Sequence, residues 1–187
     1  FIGVTAVANG FIKDGVNNWL PKLLRDEFGV DDSLSIILTL LLPIFSIFGS
    51  LFARRLYLKL RDHLLVNGIL YGVSFLFAFG VYIIYPLRSV AFTMILFIGL
   101  ACMMAAVNNI ITSSFPLDNR DKMDSGLLAG VLDTLCYLGS SLAGILLGSV
   151  SEAEDLGWTC VLMILFAFAL TASLVCFVIS FLSRKKA

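Results

Sequence analysis

Charge is what this sequence has least of. Only 14% of its 187 residues are Asp, Glu, Lys or Arg, and 13 basic residues against 13 acidic ones leave no formal net charge. A soluble domain is about 25% charged and about 45–50% apolar, whereas here 59% of residues are hydrophobic and the mean hydropathy is +0.99. That excludes an ordinary water-soluble domain. The missing basic excess removes the electrostatic footprint of a nucleic-acid binder. Histidine occurs once, at His63, in a basic loop where a solvated side chain is expected. With no HExxH, no GxSxG and no Cys/His dyad, nothing points to an enzyme, a metal or a cofactor. Cys102, Cys136, Cys160 and Cys176 lie inside apolar stretches without CxxC spacing and read as small apolar packers. The first residue is Phe1 and no basic segment precedes the first apolar stretch, which argues against a signal peptide and for a chain cut from something longer.

Long apolar runs are what the chain has instead. Residues 33–53, 64–87, 89–117 and 156–183 are free of charge, and each is long enough to cross roughly 30 Å of hydrocarbon, which takes about 20 residues. Residues 1–24 and 125–151 are apolar but interrupted, the first by Lys13 and Asp14 and the second by Asp133. The expectation is an all-α polytopic membrane protein whose six transmembrane helices form one bundle. One side then holds Arg54, Arg55, Lys59, Arg61, Arg120, Lys122, Arg184, Lys185 and Lys186, and the other only Lys22, Arg25 and Arg88. Basic loops stay in the cytoplasm, so a multi-pass protein of the cell membrane is expected, with the C-terminus cytoplasmic and the first helix running outward.

The polar residues within the spans are the candidate site. Asn9, Lys13 and Asn17 recur at i, i+4, i+8 and share one helix face, with Asp14 and Asn18 beside it and Phe11, Ile12, Val16 and Trp19 opposite. Inserting two central charges costs about 6 kcal/mol, and the ten Leu, Ile, Phe and Val residues of this span return about 5 kcal/mol. The helix must therefore hide its polar face, either in a ligand or ion pathway or in a structural ion pair. In the fifth span Gly126, Gly130, Ser140, Gly144 and Gly148 line one stripe with Asp133 and Tyr137, a pattern that invites close helix approach through two GxxxG spacings. The fourth span aligns Ala101, Ala105, Asn108, Asn109 and Thr112. An inverted repeat of three plus three helices would pair the first span with the fourth, and so Asn17 and Asn18 with Asn108 and Asn109. Pro43 is expected to kink the second span.

Six spans, positive inside, with polar first and fourth helices and a glycine-lined fifth, resemble the C-terminal half of a major facilitator superfamily transporter. Gly49, Leu51, Arg54 and Arg55 resemble that superfamily's inter-helix loop signature, with Ala53 where an acid is usual. The stretch Gly10 to Pro21, GFIKDGVNNWLP, is similar to the seventh helix of the organophosphate:phosphate antiporter family, and Tyr137-Leu138-Gly139 to its eleventh. The resemblance implies that Lys13 contacts an anionic substrate; the polar faces then offer Asn9, Asn17, Asn108, Asn109 and Tyr137 as further substrate contacts, and Asp14 or Asp133, which add negative charge where the antiporter pattern has none, as coupling or ion-pair groups. It also implies a missing N-terminal bundle. Lysine stands where that family has arginine, so bidentate phosphate clamping gives way to a point charge. The function implied is secondary active transport of a small organic anion, an organophosphate or carboxylate, by antiport or proton symport. The alternatives are a neutral or cationic solute with Lys13 and Asp133 as a structural pair, and a membrane scaffold that transports nothing.

Overall fold

The computed structural model describes residues 2–152 and 157–184. Among them there is no strand, and six long helices follow one another: α1 (Ile2–Phe28), α2 in two pieces (Asp32–Thr39 and Leu41–Leu60), α3 (His63–Ile84), α4 (Val90–Asn109), α5 (Ser125–Glu152) and α6 (Gly157–Arg184). Beyond Asn109, α4 continues through a π-helical turn, Ile110–Ser114, into the short helix Phe115–Asp118. Asp32–Leu60, His63–Leu87, Val90–Asp118, Ser125–Ser151 and Gly157–Ser183 are long and apolar enough to cross a membrane. The 27 residues of α1 suffice in length, but its polar face lowers its hydropathy. The helices overrun the apolar runs, since α2 continues past Ala53 through Arg54, Arg55 and Lys59. Apolarity limits the part that suits lipid, not the part that is helical.

Local chemistry explains the ends. Gly29, at φ 63°, closes α1. Its N–H bonds the Arg25 carbonyl at 3.1 Å, the single bond of an αL cap, and the Val30 N–H reaches the Leu24 carbonyl at 3.1 Å. Asp62 starts α3 by accepting from the Leu65 N–H at 3.0 Å, and Asp124 starts α5 by accepting from the Leu127 N–H at 2.8 Å. The interruptions follow the prolines. A proline lacks the N–H that would bond the i−4 carbonyl, and its ring crowds that carbonyl. Pro43 thereby breaks α2 after Thr39, so the expected kink is a turn at Leu40. Pro116 likewise follows the π-helical turn that contains Thr112.

The helices pack most extensively as α1 with α5, α2 with α4, and α3 with α6. Gly148 lies against Trp19, and Lys22 donates to Ser151 at 3.5 Å. With Gly3 against Leu135, these contacts make α1 and α5 parallel. By contrast α3 and α6 are antiparallel, because Gly68 accepts from Ser173 at 2.8 Å while Tyr82 meets Phe166 at 5.5 Å between ring centroids. Between α1 and α6, Phe11 stacks on Phe168 at 4.0 Å, and the Tyr71 hydroxyl of α3 donates to the Thr5 carbonyl at 2.6 Å.

Two glycines let α1 and α5 touch at backbone level. A methyl group on Gly10 would overlap the Cys136 carbonyl, and one on Gly139 would overlap that of Val7. Gly49 meets the Cys102 carbonyl of α4 in the same way. This revises the expected packing stripe: nothing in the described structure approaches Gly130 or Gly144, and both are exposed. Of the GxxxG glycines only Gly148, against Trp19, touches α1; the backbone-level contact falls instead on Gly139 and Cys136, on another side of the helix. Large apolar side chains on α2, among them Ile36, Ile37, Ile44, Ile47 and Phe48, are exposed as well, a surface suited to hydrocarbon or to another apolar bundle.

Candidate functional site

Near the midpoints of α1 and α4 the bundle opens into a polar pocket of about 360 Å³. From α1 come Lys13, Asp14 and Asn17; from α2, Pro43, Ser46 and Ser50; from α4 and its π-helical turn, Ala101, Ala105, Asn108, Asn109, Thr112 and Ser113. A π-helical turn widens the helix by one residue per turn and is frequent at functional sites. Here it lies directly after the two asparagines and carries Thr112 and Ser113 onto the same wall. The Thr112 hydroxyl bonds the Asn108 carbonyl at 2.9 Å, and the Ser46 hydroxyl bonds that of Leu42 at 2.8 Å.

Lys13 and Asp14 are the charged groups among the described residues of the wall, and they pair with each other, Nζ to Oδ1 at 3.5 Å. Their side chains keep 30% and 21% exposure, so the pair is wet and its attraction partly screened. Asn9 is fully buried one turn before Lys13. Its Nδ2 donates to Asn108 Oδ1 at 2.9 Å and lies 3.9 Å from Cys136 Sγ. Its Oδ1 has no partner, which costs about 1–3 kcal/mol for a buried acceptor. Asn9 thus holds the pocket's back wall, setting Asn108 from behind. Simultaneous Asn9→Ala and Asn108→Ala replacement should reveal a coupling of about 0.6 to 1.7 kcal/mol in a double-mutant unfolding cycle; additive losses would mean that the amide contact contributes nothing.

Of the residues singled out from sequence, Lys13, Asp14, Asn17, Asn108 and Asn109 converge on this pocket, and Asn9 supports it. Asp133 and Tyr137 do not line it. Tyr137 is 64% exposed on α5, on the side turned from the bundle. Asp133 is half-buried on the same helix, three residues before the buried Cys136. Ser46, Ser50 and Ser113 escaped the sequence reading. The i, i+4 spacing of the two α2 serines on one face was the available signal, but serine in an apolar helix usually bonds its own backbone and draws no attention.

His63 departs from expectation altogether. Its side chain is only 16% exposed and lies 3.2 Å from Asp118. It is stacked on Tyr57 at 4.4 Å and edge-on to Phe115 at 5.3 Å. A loop histidine is solvated only if neighbouring helices end early; here α2 and α4 both extend past their apolar runs and enclose it.

The pocket can hold a small polar molecule, neutralise one negative charge with an ammonium group, and offer hydroxyl and amide hydrogen bonds in both senses. No protein-family profile matches the chain, and no curated protein aligns with it significantly.

Proposed function

We propose that this chain is one six-helix bundle of a major facilitator superfamily transporter that carries a small organic anion by alternating access. The observation that carries the reading is the mid-bundle pocket in which Lys13 stands among amides and hydroxyls. An intramembrane lysine that faces a polar cavity instead of lipid is the expected mark of a substrate pathway.

Helix pairing supports the three-plus-three repeat. Exchanging each of α1, α2 and α3 with α4, α5 and α6 turns the α1–α5 pair into the α4–α2 pair and leaves α3–α6 unchanged. The close approaches follow the same exchange, with Val7 against Gly139 matched by Cys102 against Gly49. The shift that carries Val7 onto Cys102 also carries Pro21 onto Pro116, and Lys13–Asp14 onto Asn108–Asn109. On this register the partners of Asn108 and Asn109 are Lys13 and Asp14, one turn earlier than the asparagine pair Asn17 and Asn18. The two repeats thus meet at the pocket, one with charge and one with amides.

The uncovered part of α5 around Gly130 and Gly144 and the apolar flank of α2 are the surfaces on which a second bundle of the same protein would close, with Asp133 and Tyr137 joining the site from there. Asp14 is the coupling group closest to the substrate charge, because an anion that binds Lys13 competes with Asp14 for it.

The test is uptake by the natural full-length protein in proteoliposomes, with radiolabelled glycerol 3-phosphate, succinate and glycerol as probes. Saturable uptake of an anion, with glycerol excluded, is expected. Equal handling of glycerol, or no flux of either anion above empty vesicles, would overturn the reading.

A further inference from the structure

We propose that Tyr57, His63 and Asp118 form a latch, released by protonation of His63, that ties together the ends of α2, α3 and α4 on one side of the bundle. The three residues sit at the last turn of α2, the first position of α3 and the last position of α4's short extension. His63 Nε2 is 3.2 Å from the Tyr57 hydroxyl and 3.2 Å from Asp118 Oδ2, and that hydroxyl also donates to Asp118 Oδ2. The imidazole is clamped between the Tyr57 face and the Phe115 edge. Each helix end therefore contributes one partner, and removing any one of them undoes two contacts.

The direction of the switch follows from the other ring nitrogen. Nδ1 of His63 is buried without a hydrogen-bond partner. In the neutral ring with its proton on Nε2, Nε2–H donates to Asp118 and Nδ1 is a bare lone pair. Protonation adds an N–H at Nδ1 where no acceptor waits, and a buried unmade donor is costly. The gain in attraction to Asp118 is small by comparison, because that carboxylate is 47% exposed and so screened.

The remaining facing groups do not compensate. Asp62 is engaged by the Leu65 N–H and by the Ser180 hydroxyl of α6 at 2.8 Å. Arg61 is exposed in a left-handed turn and cannot accept a hydrogen bond. From α1 and α6, Ile2 and Ser183 border the ring's surroundings without charge. A cavity of about 610 Å³, lined by His63 and Phe115, lies beside the ring and gives the imidazolium a place to swing toward water. Acidification therefore favours the unlatched arrangement, in which the three helix ends separate.

Spin labels at Lys59→Cys and Arg120→Cys, both exposed positions flanking the cluster, report the separation of the α2 and α4 ends. The measurement uses the natural full-length protein with its own cysteines replaced, at about pH 8 and about pH 5.5, which bracket an ordinary imidazole. A single short distance is expected at the higher pH and a second, longer one at the lower. His63→Gln keeps a neutral side chain and should abolish the pH response, while Tyr57→Phe and Asp118→Asn should raise the longer population already at the higher pH. A second pair at Ser33 and Leu87, exposed at the opposite end, should stay constant and report that the bundle is intact. An unchanging distance between Lys59 and Arg120, or a pH response that survives in His63→Gln, would overturn the latch. Since the readout is a distance and not a flux, either result leaves the transport reading to its own test.

Discussion

Replacing Lys13 with alanine is expected to remove anion uptake while the protein inserts and extracts at least as well as the parent. A charge-assisted hydrogen bond contributes about 1.5–3 kcal/mol, and each 1.4 kcal/mol or so is a factor of ten, so kcat/KM should fall about 10- to 100-fold from the lost contact alone. The loss should exceed that figure, because the variant leaves the Asp14 carboxylate, 3.5 Å from Lys13 in the parent, facing the incoming anion without its counter-ion. Insertion should improve, since a central lysine costs about 2.5–3.5 kcal/mol to bury in a span. Membrane yield and transport are thus expected to move in opposite directions, and measuring both separates a binding role from a folding one. Lys13→Arg sharpens the result further: the guanidinium fork restores charge and adds bidentate geometry, so it should recover phosphate esters more than carboxylates. Undiminished uptake by Lys13→Ala would remove Lys13 from the site.

Gly10→Leu and Gly139→Leu should each destroy the bundle, whereas Gly130→Leu and Gly144→Leu should leave the packing of these six helices intact. Overpacking a core that can yield costs about 1–3 kcal/mol, but the obstacles at Gly10 and Gly139 are the main-chain carbonyls of Cys136 and Val7. No rotamer change relieves that, and α1 would have to leave α5. At Gly130 and Gly144 an added side chain meets open space. The monodisperse fraction after detergent extraction is the appropriate measure. If all four variants collapse alike, the assignment of the close helix contact to Gly10 and Gly139 is wrong.

The existence of the helices was legible because charge-free runs of this length have few alternatives in any solvent. Their ends were not, because Arg54, Arg55 and Lys59 are good helix formers and apolarity says nothing of where helix stops. The i, i+4, i+8 rule found Asn9, Lys13 and Asn17 on one face, yet the structure divides them. Asn9 turns into the core to hold Asn108, while Lys13 and Asn17 face the pocket. Composition misjudged α5 for a related reason. Small residues permit close packing without specifying it, and the contact falls on Gly139, whose neighbours Val7 and Phe11 are remote in the chain. Likewise His63 looks solvated until Asp118 and Phe115 are brought to it by folding.

The adjacency of Lys13 and Asp14 has an electrical consequence. On the transporter reading, the Lys13–Asp14 pair contributes no net charge when the unloaded bundle reorients, so the pair itself adds nothing to the voltage dependence of the empty carrier's return. A bound monovalent anion breaks that cancellation, and moving one elementary charge through 100 mV amounts to about 2.3 kcal/mol. Through this site voltage would then act on the loaded step alone, and a proton taken up by Asp14 with the anion would make the site silent there as well.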